Sequence, residues 1–246
     1  ANPGRLVNLS LLTELAAEES FTLGFVVGGV GTVGSKPLLV RAAGPSLGQL
    51  GVANPHSDPK LELFVGAAKA GENDNWGGSS GVAGAFLQVG AFAYSGASSR
   101  DAAVFDAAVA PGNNSVIVSG VGSAAGTVIV ELYDASPSAL AGQATPRLVN
   151  VSVLKSIGAG LTAGFVVGGG SARSILVRAI GPTLANAPFN VSGVLAAPRL
   201  TLFRGSTTIA TNAGWGGTAA LTAAFTQVGA FPLPATSVDA AMLQTL

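Results

Sequence analysis

The chain repeats itself, and the second copy stops short of the first. Arg5-Leu6-Val7-Asn8-Leu9-Ser10 returns as Arg147-Leu148-Val149-Asn150-Val151-Ser152, and Gly24-Phe25-Val26-Val27-Gly28-Gly29 as Gly164-Phe165-Val166-Val167-Gly168-Gly169. Leu39-Val40-Arg41-Ala42-Ala43-Gly44-Pro45-Ser46-Leu47 returns as Leu176-Val177-Arg178-Ala179-Ile180-Gly181-Pro182-Thr183-Leu184. Trp76-Gly77-Gly78 matches Trp215-Gly216-Gly217, Gln88–Phe92 matches Gln227–Phe231, and Asp101-Ala102-Ala103 matches Asp239-Ala240-Ala241. A tandem duplication of this kind means one supersecondary plan used twice, with the few insertions confined to turns. The small, Pro-punctuated stretch from Ser136 to Pro146 reads as the joint. The expected organisation is a first module over 1–134, a linker over 135–146 and an incomplete second module over 147–246.

Within each copy the apolar segments are short, rich in β-branched residues and bounded by Gly, Pro or Asn, which is the signature of strands. Phe21–Val27, Pro37–Ala42, Lys60–Val65, Ser115–Val121 and Thr127–Tyr133 are the clearest. The last two flank a Gly/Ser/Ala turn and read as a closing hairpin. Ser80–Val89 and Thr218–Val228 are Ala-rich and predict one or two helical turns, without evident caps. The expected fold is all-β: two tandem β-sandwich, jelly-roll-like modules with little helix.

Leu246 aligns with Ala108, so the second copy has no counterpart of the first copy's closing hairpin. Val116, Val118, Val121, Val128, Val130 and Leu132 are the inward candidates on those strands. At about 2 kcal/mol each for burial, their absence removes on the order of 10 kcal/mol, against a typical domain stability of about 5–15 kcal/mol. Three readings follow. Either the sequence is truncated or runs on into further modules, or another subunit supplies the strands to an exposed sheet edge, or the second copy is a self-contained variant fold. Head-to-tail completion does not close on itself and builds a filament. On this reading the open strand-acceptor edge is expected near Met242, Leu243 and Leu246.

Composition narrows the function classes. Of 246 residues, 12 are Lys or Arg and 12 are Asp or Glu, with one His and no Cys. A formally neutral chain without a basic cluster argues against nucleic acid as a partner. The absence of Cys excludes disulfides and thiolate sites, and no apolar run approaches the length of a membrane span. The chain opens directly into the first repeat, with no leader-like segment, as a mature product or fragment would. A sparse-charge Ala/Gly/Val/Thr surface suits an exported protein, so an extracellular or cell-surface location is expected.

Individual motifs weaken on inspection. Gly29-Val30-Gly31-Thr32-Val33-Gly34 satisfies G-x-G-x-x-G, but a strand follows where a dinucleotide site needs a helix. Gly44-Pro45-Ser46-Leu47-Gly48 satisfies G-x-S-x-G, yet the other copy has Thr183 and the sole imidazole, His56, lies in a Pro-rich loop. No catalytic residue, cofactor or firm metal site is expected; Glu72 and Asp74 are the weak calcium candidates, without counterparts in the second copy. Trp76 and Trp215 stand at equivalent places beside Gly-Gly and are read as core plugs, interface anchors or sugar platforms. Arg41 and Arg178 close apolar strands, with Asp101 and Asp239 as their expected ion-pair partners.

The set Arg-Leu-Val-Asn, Gly-Phe-Val-Val-Gly-Gly, Leu-Val-Arg-Ala-x-Gly-Pro-Ser/Thr-Leu, Trp-Gly-Gly and Asp-Ala-Ala resembles a tandem module of large secreted proteins of environmental bacteria. Pro111–Gly120 with Gly126–Tyr133 is similar to the closing hairpin of bacterial pre-peptidase C-terminal β-sandwich domains. Neither resemblance brings a catalytic set; both imply an extracellular β module used for architecture, adhesion or assembly. The expected function is therefore that of a non-enzymatic extracellular structural protein, self-associating into a filament or surface array. The rival expectation is a carbohydrate-binding or adhesive module of a larger secreted protein.

Overall fold

Period-two alternation sets the strands. In β2 (Ser20–Gly28), Phe21, Leu23, Phe25 and Val27 are buried while the residues between them are not. In β7 (Gly112–Gly120), Val116 and Val118 are buried in the same way, because successive side chains point to opposite faces. A computed structural model describes residues 2–158 and 160–246, and they divide into two compact units, Ala1–Ser171 and Ala172–Leu246.

The first unit is one large antiparallel sheet. Its remaining strands are β1 (Arg5–Leu15), β3 (Lys36–Ala43), β4 (Pro59–Val65), β5 (Ala68–Asn73), β6 (Ala102–Val109), β8 (Gly126–Asp134), β9 (Arg147–Leu154) and β10 (Thr162–Gly168). They run in the order β5-β4-β7-β2-β9-β1-β8-β3-β6, with β10 on β1. The sheet folds over until its ends nearly meet, where Asn73 Oδ1 accepts the Ala103 N–H at 2.9 Å. Leu23, Phe25, Leu38, Val40, Leu61, Leu63, Val116, Val118, Val130 and Leu132 fill the space between as a single core. On the outer side of β3 and β8 lies a helix, α1 (Ser80–Val89), which buries Ala85 and Phe86 against Leu39, Ala103 and Tyr133.

The second unit contains β11 (Ser174–Ala179), β12 (Leu200–Arg204), β13 (Thr207–Asn212), a second helix α2 (Ala219–Val228) and β14 (Ala240–Thr245). Two two-stranded ladders form, β11–β14 and β12–β13. They reproduce β3–β6 and β4–β5 in register: Arg178 faces Ala241 as Arg41 faces Ala103, and Leu200 faces Asn212 as Leu61 faces Asn73. Asn212 Oδ1 again accepts from the Ala241 N–H, at 3.0 Å. Trp215, Phe225, Leu233 and Ala241 form its core.

Three expectations change. The boundary between compact units lies at Ser171/Ala172 and not in the 135–146 linker, because β9 and β10, although second-copy in sequence, complete the sheet of the first unit. The closing strands β7 and β8 form as expected, but they are not a hydrogen-bonded hairpin. β7 pairs with β2 and β4, and β8 with β1 and β3. Apolar residues on both faces of β8 have partners in two different cores, so it is used as a central strand. The Ala-rich stretches are full ten-residue helices, about three turns each. Their stop signal is Gly90 and Gly229 in the left-handed region at φ 69° and 67°, where a glycine cap satisfies the last carbonyls without a Cβ penalty.

The joint between the copies is reciprocal. β1 pairs with β10 and β2 pairs with β9, so each copy's first strand binds the other's second. The registers are equivalent: Asn8 faces Val166 and Asn150 faces Val26, and each ladder slips once, at Val7 and at Val149. β1 and β9 touch only where Leu6 faces Leu148, two equivalent residues, which marks a local twofold axis. Gly24 and Gly164 keep this joint tight, since a Cβ there would come within 3.1 Å of Ser152 Oγ and 2.8 Å of Ser10 Oγ. Lys155 adds a 2.6 Å ion pair to Glu19 across it. A self-complementary joint of this kind is isologous. A fragment of residues 1–134 is therefore expected to dimerise through β1 and β2, whereas 1–171 stays monomeric; light scattering on the two fragments checks this, and a monomeric 1–134 fragment would contradict it.

Candidate functional site

Four buried charged side chains, Lys36, Arg41, Glu131 and Asp134, lie on the paired strands β3 and β8. Asp134, at the end of β8, receives Arg5 Nε at 3.1 Å and Lys36 Nζ at 2.7 Å. Burial pushes the Asp134 carboxyl up, but the Lys36 hydrogen bond and charge, with two contacts from Ser136, outweigh it and leave the carboxyl below its ordinary value. Burial lowers Lys36, and Arg5 and Arg147 crowd it further although Asp134 pulls the other way. Arg147, the counterpart of Arg5, keeps a buried Nε with no hydrogen-bond partner among the described residues.

Five residues along β3 from Lys36, Arg41 is fully buried. Its guanidinium carbon lies 4.3, 4.2 and 4.3 Å from the ring centroids of Phe86, Phe92 and Tyr94, close enough for cation–π attraction. Its carboxylate is Glu131 on β8, at 3.5 Å, and Tyr133 Oη donates to the other Glu131 oxygen at 2.8 Å. Burial raises Glu131, partly offset by Arg41 and by the Tyr133 hydrogen bond; burial also pushes both tyrosine hydroxyls up. In the second unit, Arg178 sits 4.5 and 4.4 Å from the Phe225 and Phe231 rings. It has no ion-pair partner among the described residues, and its Nε and Nη2 are buried without a hydrogen-bond partner.

The expected Arg41–Asp101 pair is thus replaced by Arg41–Glu131, while Arg178 forms no ion pair among the described residues and feels the Asp239 charge only at longer range. Asp101 instead locks the Gly-Pro turn: it accepts from the Gly44 N–H at 2.8 Å, the Ser46 N–H at 3.2 Å, and the Ser46 and Ser99 hydroxyls. Asp239 does the same for Gly181 at 2.7 Å, Thr183 at 3.2 Å, and the Thr183 and Ser237 hydroxyls. Gly is needed at both turns, since a Cβ on Gly44 or Gly181 would run into the backbone oxygen of His56 or Leu195.

This arrangement leaves little room for serine chemistry. Ser46 is buried and committed to Asp101. His56 is also buried: Nδ1 accepts from the Asp58 N–H at 3.2 Å, so Nε2 carries the proton and donates to the Ala124 carbonyl at 3.2 Å. The imidazole staples its loop to the β7–β8 turn against Gly120, and the His56 backbone lies against Gly126.

The tryptophans close their own modules' cores. Trp76 is half-buried, stacked on Phe86 at 5.5 Å, and its indole N–H donates to the Gly96 carbonyl at 2.9 Å. Trp215 is 4% exposed and donates to the Pro234 carbonyl at 3.0 Å. Glu72 is held by Lys60 at 3.3 Å and Lys69 at 2.8 Å, and Asp74 stands exposed beside it in sequence. Among the described residues no group of three or more His, Cys, Asp or Glu is gathered as a metal site. Surface grooves of about 540 and 610 Å³ lie beside the linker and beside Phe189 and Phe231, and neither is lined by a titratable side chain. No described helix is long and apolar enough to cross a membrane.

What the geometry singles out is sheet edge. Met242 and Leu243 lie on β14, which pairs with β11 alone among the described residues and sets them opposite Val177 and Leu176, and Leu246 is bonded to Arg173 through both backbone groups. The unmatched edges are one strand away. β3 pairs on both sides, with β6 and β8, and β4 with β5 and β7. Their counterparts β11 and β12 each pair on one side only among the described residues. Side-chain exposure follows: β3 is buried almost throughout and β11 is half-exposed, and Phe203 on β12 is 55% exposed.

The two carboxylates of β8 predict a biphasic pH response. Glu131 titrates higher in the folded chain, so acidification from neutrality relieves a cost as it protonates. Asp134 titrates lower, so its contribution is present above about 3.8 and is lost as pH falls further. Urea melts across pH 7 to about 2 are expected to show a shallow rise and then a steep fall; the fall should flatten in Asp134→Asn.

No protein-family profile matches the chain, and no curated protein is significantly similar to it.

Proposed function

We propose that the protein is a non-enzymatic structural component of the cell surface or extracellular space, built of two β-sandwich modules that assemble head-to-tail by sharing strands. The observation that carries this reading is the half-paired state of β11 and β12, set against fully paired β3 and β4 in the same register. An open edge of this kind is a template for another strand, and main-chain hydrogen bonds supply the affinity. The reciprocal β1–β10 and β2–β9 joint supports it, since these repeats already complete one sheet with strands from remote parts of the chain. Weakly charged surfaces pack against copies with little desolvation cost.

The locked states of Ser46 and His56 favour a non-enzymatic reading. Inward-turned indole N–H groups on Trp76 and Trp215 count against the glycan-binding alternative. Negative-stain electron microscopy and sedimentation velocity over a wide concentration range test the proposal. Regular filaments or arrays are expected; monomers at every concentration would overturn it.

A further inference from the structure

The edge left open on β11 has a chemistry, and it is acidic. Resting on the assembly reading above, we infer that this edge binds an antiparallel β-strand from another subunit that places a Glu opposite Arg178 and an Asp three residues later opposite Ile175, beside Arg173.

The first repeat supplies the template. Across β3 and β8, Arg41 faces Glu131, Leu39 faces Tyr133 and Leu38 faces Asp134. The Arg41 guanidinium meets Glu131 at 3.5 Å, and Lys36 meets Asp134 at 2.7 Å. β11 keeps the basic half of both pairs, with Arg178 in the place of Arg41 and Arg173 in the place of Lys36. It keeps the neighbour on the other side as well, since β14 pairs with it in the β6 register. Even the aromatic support is retained, through Phe225 and Phe231. Among the described residues no acidic strand stands beside β11 as β8 stands beside β3.

Arg178 shows the deficit in its ion pairing: it has no ion-pair partner among the described residues, where Arg41 has Glu131 at 3.5 Å, although both guanidiniums carry buried nitrogens without a hydrogen-bond partner. A guanidinium stays protonated, so a cation held against aromatic rings at an open strand edge selects for a carboxylate. Leu233 stands where the first repeat has Tyr94, leaving Arg178 two rings where Arg41 has three and raising its dependence on an incoming acid. Fork-shaped pairing with a carboxylate also fixes register, and a strand shifted by one residue would turn the Glu to the wrong face. An apolar residue on either side of the Glu, as Val130 and Leu132 flank Glu131, would face the interior.

The test uses the full chain and a synthetic peptide with the sequence of residues 124–136. Hydrogen exchange is expected to slow at the Ile175–Ala179 amides on peptide addition. A peptide carrying Glu131→Leu should bind at least tenfold more weakly. Against the Arg178→Met chain the two peptides should bind alike, while Arg178→Lys should retain part of the preference. Equal binding of both peptides to the unaltered chain would overturn the acidic rule, and unchanged exchange along β11 would overturn the docking edge. Excess peptide should also dissolve the chain's assemblies. Assemblies that persist with β11 occupied would overturn this edge and leave the assembly reading intact. A chain that binds the peptide by the acidic rule but never assembles would overturn supply from another subunit, together with the assembly reading.

Discussion

Glu131→Leu is expected to destabilise the protein by about 3–5 kcal/mol, the cost of leaving a buried charge without its partner, while Arg41→Met combined with Glu131→Leu is expected to be close to neutral. Arg41 is fully buried, and Glu131 is its carboxylate. Removing Glu131 alone strands a cation that cannot deprotonate and also deprives Tyr133 Oη of its acceptor. Removing both charges leaves apolar side chains of similar length in an aromatic cage, which often costs nothing. Equilibrium urea unfolding of the four chains gives the coupling energy directly. A loss below about 1 kcal/mol for the single variant would mean that the three rings hold Arg41 unaided. In that case Arg178 would not be short of a partner either, so this cycle bears on the docking edge from inside the first unit.

Asp101→Ala is expected to cost about 3–4 kcal/mol, and Asp239→Ala a comparable amount within the second unit, because each removes the acceptor for several buried donors at about 1–3 kcal/mol each. Asp101 serves two backbone N–H groups and two hydroxyls, and Asp239 serves the equivalent four. Hydroxyls can turn to new partners, but the Gly44 and Ser46 N–H groups cannot. The turn cannot drift to find them, since Gly44 is pressed against the His56 backbone. Asp101→Asn should cost less than half as much, because its amide oxygen still serves the backbone and its NH₂ can donate to Ser46 or Ser99. Urea melts report both values, and an Asn variant as damaged as the Ala variant would point to a need for the charge itself.

The strands were legible because each carries its own period-two pattern, and so was the duplication, because equivalent residues do equivalent work. Asp101 and Asp239, Asn73 and Asn212, Gly44 and Gly181 all recur with the same partners. The partner of Arg41 was not legible. Asp101 recurs in both copies and so looked like its mate, whereas Glu131 lies in the part that only one copy has. The clue was present in Glu131-Leu132-Tyr133-Asp134, two acids closing an apolar strand in a chain with 12 acids in all. The helices were underestimated for a local reason: their stop signal is a left-handed glycine, and in a chain with 35 glycines such a signal has little contrast.

By itself, then, the amino-acid sequence determined the repeated plan, the all-β character and the turn residues. Each of these is a matter of local pattern or of comparing one copy with the other. Only the tertiary structure decided which edges meet. Hydrogen-bonded edges look alike in every strand, since the backbone carries the same donor and acceptor at each residue. Nothing in the period of β7 and β8 tells whether they pair with each other or with four other strands. For the same reason β9 and β10 could join the first unit, and β11 could be left with one partner where its counterpart β3 has two. Side-chain charge, unlike the backbone, does discriminate. Arg178, without an ion-pair partner among the described residues where Arg41 has Glu131, therefore says more about what belongs beside β11 than the ladder does.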